Sequence, residues 1–279
     1  IYPVRRADLG LALLVLIVAA LVRFDNLSVS EYHYDHATLS RLAQTMLDSR
    51  RPATLGMMTS VGIPNAPASV YVVALPYLFT DDPLLVSAFL TALNVLGVGL
   101  LWLIAHRYWG PAVGLAAGLI YAVNPWAAFY SRGIWAQNFL TPFILLALLL
   151  GLRGFYEGRR WAQALCLPVL LFGAQIHYAA WVLLPLYAWF LWIGRKSLSW
   201  RALALSAVLS VLVLAPYSIG IMDWAQQRQG EQTLSVMFAG RPFDIHPQTL
   251  VFPLWLATGL GMERFVAPAN NLLAQLPPP

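Results

Sequence analysis

The chain of 279 residues is 59% hydrophobic and 10% charged, with a mean hydropathy of +0.67, whereas a soluble domain is nearer a quarter charged. Its apolar residues come in long blocks rich in Leu, Ala, Val and Trp, which excludes a water-soluble globule and favours helical spans over an outer-membrane barrel. The net charge of +5 collects in short loops between those blocks, so it reads as membrane orientation and speaks against a nucleic-acid partner.

The predicted fold is all-α and polytopic, with about seven to eight spans. The first run, residues 9–22, is short for a bilayer, but Arg5, Arg6 and Arg23 beside it can snorkel and lengthen it to a crossing. A cleaved signal peptide would need a small-x-small site near residue 23, and none is convincing. The first outer loop, residues 24–83, follows. Within it, HATLSRLAQTMLDS (36–49) puts Ala37, Leu42, Met46 and Leu47 roughly on one face and Arg41, Gln44 and Asp48 elsewhere, the pattern of an interfacial helix. GIPNAPASVYVVALPYLF (62–79) is too short to cross and is punctuated by Pro64, Pro67 and Pro76; it is expected to dip into the membrane or lie on its surface.

Six more runs, 84–105, 111–123, 138–152, 161–175, 178–193 and 202–219, complete seven spans. Pro142, Pro168, Pro185 and Pro216 interrupt them, and kinks are expected there. Residues 1–220 form the membrane core. The tail, 221–279, is polar at first and apolar again over 250–262; Pro253, nearby glycines and the brevity of the run favour an interfacial helix over an eighth span. A chain that starts at Ile1 without Met and ends in Leu-Pro-Pro-Pro suggests a piece of a longer protein, with the tail opening a further C-terminal region. The lone Cys166 lies in an apolar block, where it reads as packing and forms no intrachain disulfide. Trp109, Trp126, Trp161, Trp192 and Trp200 at run ends read as an aromatic belt.

A cytoplasmic N-terminus places Arg5, Arg6, Arg107, Arg153, Arg159, Arg160, Arg195, Lys196 and Arg201 on the cytoplasmic side. Asp25, Glu31, Asp35, Asp48, Asp81 and Asp82 then fall in the first outer loop. Three segments meet at the outer face: the Asp35 region, AFYSRGIWAQN (128–138) and GAQIHY (173–178). They offer a carboxylate in Asp35, a permanent cation in Arg132 and a titratable donor in His177. Such a set suits group transfer from an anionic lipid carrier, because the carboxylate can take a proton from an attacking hydroxyl while cations stabilise a departing phosphate. Singly, each residue has a plainer role: Asp35 as a helix cap, Arg132 as a headgroup anchor, His177 as packing. Glu31, His33, Asp35 and His36 make a weak metal pattern, without an HExxH or Cys/His framework, and the metal is left unknown. No Gly-rich nucleotide loop is present.

The order of features resembles the GT-C superfamily of membrane glycosyltransferases, nearest to the bacterial membrane mannosyltransferase-like group related to protein O-mannosyltransferases and lipid A aminoarabinose transferases. It is carried by Asp35 opening the first outer loop, PNAPASVY (64–71), HRYWGP (106–111), NPW (124–126) and YSR (130–132), and spans roughly residues 5–220. The resemblance implies a polyprenyl-phosphate sugar donor, an extracytoplasmic active face in a bacterial cytoplasmic membrane, inversion at the anomeric carbon and a protein or glycan acceptor. It implies Asp35 as general base and Arg132 and His177 as donor-phosphate ligands, with Tyr34, His36, Gln137 and Asn138 as accessory candidates. It leaves room for a divalent cation, Mg²⁺ or Mn²⁺. Asp35-His36 stands where relatives often have Asp-Glu, and Gln137 or Asn138 where an acidic residue is expected. Those departures weaken a metal site and keep open a second reading, a catalytically silent membrane subunit of a larger complex. A lipid or solute transporter fits less well, since no internal repeat is found.

Overall fold

The computed structural model describes residues 1–29, 32–59, 62–227 and Thr258. Its regular secondary structure among those residues is helical, apart from one isolated antiparallel bridge between Met58 and Pro64. In chain order the helices are α1 (Arg6–Phe24), α2 (Tyr34–Ser49), α3 (Ala68–Tyr77), α4 (Pro83–Trp109), α5 (Pro111–Val123), α6 (Pro125–Tyr130), α7 (Thr141–Gly151), α8 (Arg160–Ile176), α9 (Leu184–Ile193) and α10 (Trp200–Gln227). Four stretches are long and apolar enough to cross a bilayer: α1, α4, Ala136–Tyr156 around α7, and α10. α3, α5 and Tyr178–Ile193 are apolar but shorter. The run at 250–262 lies outside the described residues.

All seven predicted runs are helical, and their punctuation explains where they stop. α5 is bracketed by Gly110-Pro111 and Asn124-Pro125: Gly110 turns at φ +100°, and each Pro opens the helix after it. Pro142 and Pro185 were expected as kinks, but they sit in the first turns of α7 and α9, where a missing N–H costs nothing. Pro168 and Pro216 do lie inside helices. α10 continues to Gln227, two turns beyond the expected end of its run.

α4 packs against α1, α3, α5 and α7; α8 packs against α7 and α10; α2 lies on α3. The largest core cluster joins Leu39, Val70, Val73, Leu90, Ile134, Phe139 and Ile176. It therefore ties the first outer loop to the bundle. α2 buries His36, Leu39, Ser40 and Ala43, with Leu42, Met46 and Leu47 partly covered and Ala37 exposed. α3 departs from expectation more strongly. Eight of its ten residues are buried, so it is an internal strut packed on α2, α4 and α8 and not a surface-lying segment.

The N-terminus and the loops after α4, α7 and α9 meet at one end. The Tyr2 N–H donates to the Arg107 carbonyl (2.7 Å), and Arg107 clamps Glu157 through two 2.6 Å contacts, with the Tyr108 hydroxyl donating to the same carboxylate (2.7 Å). Gln163, fully buried, donates to the carbonyls of Gly154 and Ser197 and accepts from the Ser199 N–H. A π turn at Leu152–Tyr156 presents the Gly154 carbonyl to it. Trp109, Trp161, Trp192 and Trp200 surround this end with exposed rings. Trp126 lies at the other end and is only 7% exposed, so it belongs to the interior.

Candidate functional site

The opposite end is built from the α1 C-terminus, the α2–α3 region, residues 124–138, the α8–α9 junction and the last turns of α10. Three adjoining pockets open there. The largest, about 510 Å³, is lined by Asp35, Thr59, Asn65, Gln137, His177 and Tyr178 among others. A second, about 350 Å³, is lined by Asp25, His33, His36, Arg132, Gly133 and Asn138. A third, about 490 Å³, runs from Asn94 and Tyr121 to Gln137 and Asn138. Trp135 lines the first two, and Gln137 lines the first and third.

Asp35 occupies the first turn of α2, but it is not the cap. His33 caps α2, its Nδ1 accepting from the Asp35 backbone N–H at 3.3 Å. The Asp35 carboxylate has no hydrogen bond or ion pair among the described residues, and it faces the largest pocket. An acid in a helix's first turn sits where the peptide dipoles favour negative charge. The neighbours of Asp35 diverge: Tyr34 is 80% exposed, and His36 is buried against Gly133, 4.0 Å from the His33 ring.

His177 ends α8 in an extended conformation and caps the turn Tyr178–Leu183, its Nδ1 accepting from the Ala179 N–H at 3.2 Å. With Nδ1 an acceptor, the neutral ring carries its proton on Nε2, the nitrogen left for the pocket. Burial pushes the His177 pKa below its ordinary value, which favours this neutral, donating form. The pocket floor is fixed by the loop between α2 and α3. Asn65 N–H donates to the Met57 carbonyl and Gly56 N–H to the Asn65 carbonyl, each at 2.7 Å. The hydroxyls of Tyr178 and Tyr217, 2.6 Å apart, converge on the Pro64 carbonyl.

Arg132 lies in the second pocket. Its Nη2 donates to the Val22 carbonyl at the end of α1 (2.9 Å), while its buried Nε has no partner among the described residues. Sequence reasoning gave Arg23 the part of a snorkelling flank. Instead it is 1% exposed and forks onto the Ala122 and Tyr121 carbonyls (2.6 and 3.0 Å) at the end of α5. Two cations thus complement the negative ends of two helices. The predicted trio divides: Asp35 and His177 share one pocket with Gln137, while Arg132 shares its neighbour with His36 and Asn138, with Trp135 common to both.

Two further residues escaped sequence reasoning. Asn94 in α4 donates to the carbonyls of Leu90, Ser131 and Asn138 (3.1, 3.4 and 3.0 Å) and so closes the 131–138 loop onto the bundle. Trp126 stacks on Tyr130, with centroids 5.8 Å apart and planes 14° apart. An amide inside an apolar run was the available signal for Asn94.

Among the described residues, no three His, Cys, Asp or Glu side chains group as a metal site. Among the described residues Asp35 is the only carboxylate on the largest pocket, and Mg²⁺ is held by one or two carboxylates with substrate phosphates and water in place of a protein cage. Glu31, the other acid of the sequence pattern, lies outside the described residues.

The long apolar helices mark an integral membrane protein. The family model described as dolichyl-phosphate-mannose-protein mannosyltransferase matches residues 64–219, and the chain belongs to that family. The family is one of membrane glycosyltransferases that draw on a lipid-linked sugar. The matched segment includes Arg132, Gln137, Asn138 and His177; Tyr34, Asp35 and His36 lie upstream of it. No curated protein matches the chain.

Proposed function

We propose that the chain transfers a sugar from a polyprenyl-phosphate donor to an acceptor hydroxyl on the extracytoplasmic face of a bacterial cytoplasmic membrane. The N-terminus and the basic end face the cytoplasm, and the seven helical runs cross as seven spans. The observation that carries this reading is the unpartnered Asp35 carboxylate facing the same 510 Å³ pocket as His177. The acceptor oxygen attacks the anomeric carbon and its proton passes to Asp35. The bond from that carbon to the phosphate oxygen breaks from the opposite side, which inverts the centre, and the lipid phosphate leaves with the electron pair. His177 Nε2–H donates to the departing phosphate. Arg132 adds positive potential from the adjoining pocket, where a low-dielectric surround strengthens it. No step is routed through a divalent cation; among the described residues the pocket supplies a single carboxylate.

The test is a reconstituted transfer assay with polyprenyl-phosphate sugars. Asp35→Asn is expected to lower the rate by about 10²–10⁴, the usual contribution of a general base. A loss below about tenfold rules out that role for Asp35. The amides Gln137 and Asn138, standing where relatives carry an acid, favour the second reading of a silent scaffold subunit; it predicts no transfer by the wild-type protein and stoichiometric capture in a membrane complex.

A further inference from the structure

The third pocket differs in chemistry from its neighbours. Among the described residues no charged side chain lines it: its wall includes Asn94, Asn124, Gln137, Asn138, hydroxyls from Tyr121, Ser131 and Thr141, and the aromatic pair Trp126 and Tyr130. Asn94 lies about three turns into α4 and is only 4% exposed. Its amide NH₂ is consumed by three carbonyls, whereas Oδ1 accepts nothing from the described residues and belongs to the pocket wall. An acceptor that is open to a pocket, on an otherwise buried side chain in an apolar helix, is a point at which a ligand hydroxyl can donate. Stacked aromatic rings offer an apolar face, and the amides offer paired donors and acceptors at its margin. That combination matches the pyranose ring, with its C–H face and its rim of hydroxyls, and it offers an anion nothing.

We propose that this pocket is a binding site for a neutral hexopyranose, seated on Trp126 and Tyr130 with one hydroxyl donating to Asn94 Oδ1. The inference rests on the glycosyl-transfer reading for its biological source, which is either the sugar of the donor or a sugar already present on a glycan acceptor. Gln137 reaches both this pocket and that of Asp35, so either source lies next to the reacting centre.

The probe is a methyl hexopyranoside added to the full chain in lipid nanodiscs, with saturation-transfer NMR as the readout. The wild type is expected to saturate the pyranose C–H protons. Asn94→Leu and Tyr130→Ala should each weaken binding about tenfold, the loss of one buried hydrogen bond or one stacking face. Tyr130 is only half-buried and its hydroxyl makes no hydrogen bond among the described residues, so it stays informative if Asn94→Leu fails to fold. Absence of saturation in the wild type, or equal saturation in wild type and Tyr130→Ala, overturns the site. In the transfer assay, a raised KM for the lipid-linked donor assigns the pocket to the donor sugar, and a raised KM for a glycan acceptor assigns it to the acceptor. Hexoside binding retained by Asp35→Asn, with transfer lost, supports both readings. Binding by a wild type that transfers nothing keeps this site and sinks the activity alone.

Discussion

The two ends of the bundle differ in where their open polar groups lie: at the basic end Arg153 Nε and His106 Nδ1 are buried without a hydrogen bond among the described residues, while at the other end the open groups belong to residues that line cavities. At the basic end, Glu157 is held by Arg107 and Tyr108, and Gln163 has partners for both its amide nitrogen and its oxygen. At the other end the Asp35 carboxylate, the Arg132 Nε and the Asn94 Oδ1 have no partners among the described residues, and three pockets adjoin there. Buried paired groups lower the free energy of the fold, and under the glycosyl-transfer proposal the open groups at the pocket end are the ones a ligand uses.

That division is open to a double dissociation. The largest effect is expected from Asp35→Asn, which should remove most transfer activity while lowering thermal stability in nanodiscs by no more than about 1 kcal/mol, the scale of one charge in a helix's first turn. Arg107→Met should do the reverse. It strands Glu157, whose side chain is 5% exposed, so a cost of about 3 kcal/mol is expected, read as a lower melting temperature with KM unaltered. If Arg107→Met changed KM and left stability alone, the contrast between the ends would be wrong. Gln163→Leu should cost about 1–3 kcal/mol, since it leaves two carbonyls and one N–H without their partner.

The smallest effects are the pH dependences, and they fall in different windows. The Arg107 guanidinium holds the Glu157 carboxyl below the usual carboxylate range. A depressed folded pKa means that its stabilisation is fully present above about pH 4.3, the unfolded value, and is lost as pH falls through the lower folded value. His177 is lowered by burial, so the unfolded chain takes up that proton first and stability begins to fall below about pH 6.5. Glu157→Gln should flatten only the acid limb of a melting profile and His177→Asn only the limb near neutrality. Profiles that do not separate in this way would merge the two ends into one cooperative unit.

Much of the fold could be read from residues that stop helices. α5 begins at Pro111 and ends before Asn124-Pro125, as its flanking residues dictate. The burial of α3 could not, because an apolar stretch carrying Pro67 and Pro76 has the same pattern whether lipid or protein covers it. Arg23 shows a similar ambiguity: a cation in the last turn of an apolar helix can reach for headgroups or for the carbonyls of a neighbouring helix, and only packing chooses between them. For the site, the shared end of Asp35, Arg132 and His177 follows from span parity, which needs only the order of apolar runs. Their division between two pockets follows from how the 131–138 loop turns beneath Asn94, a tertiary contact with no local pattern.

Trp135 lines both the Arg132 chamber and the Asp35 chamber. Under the glycosyl-transfer proposal, one indole then borders the cation and the acid alike, and trimming it to Ala is expected to widen the passage between the two chambers, read as a changed KM for the lipid-linked donor.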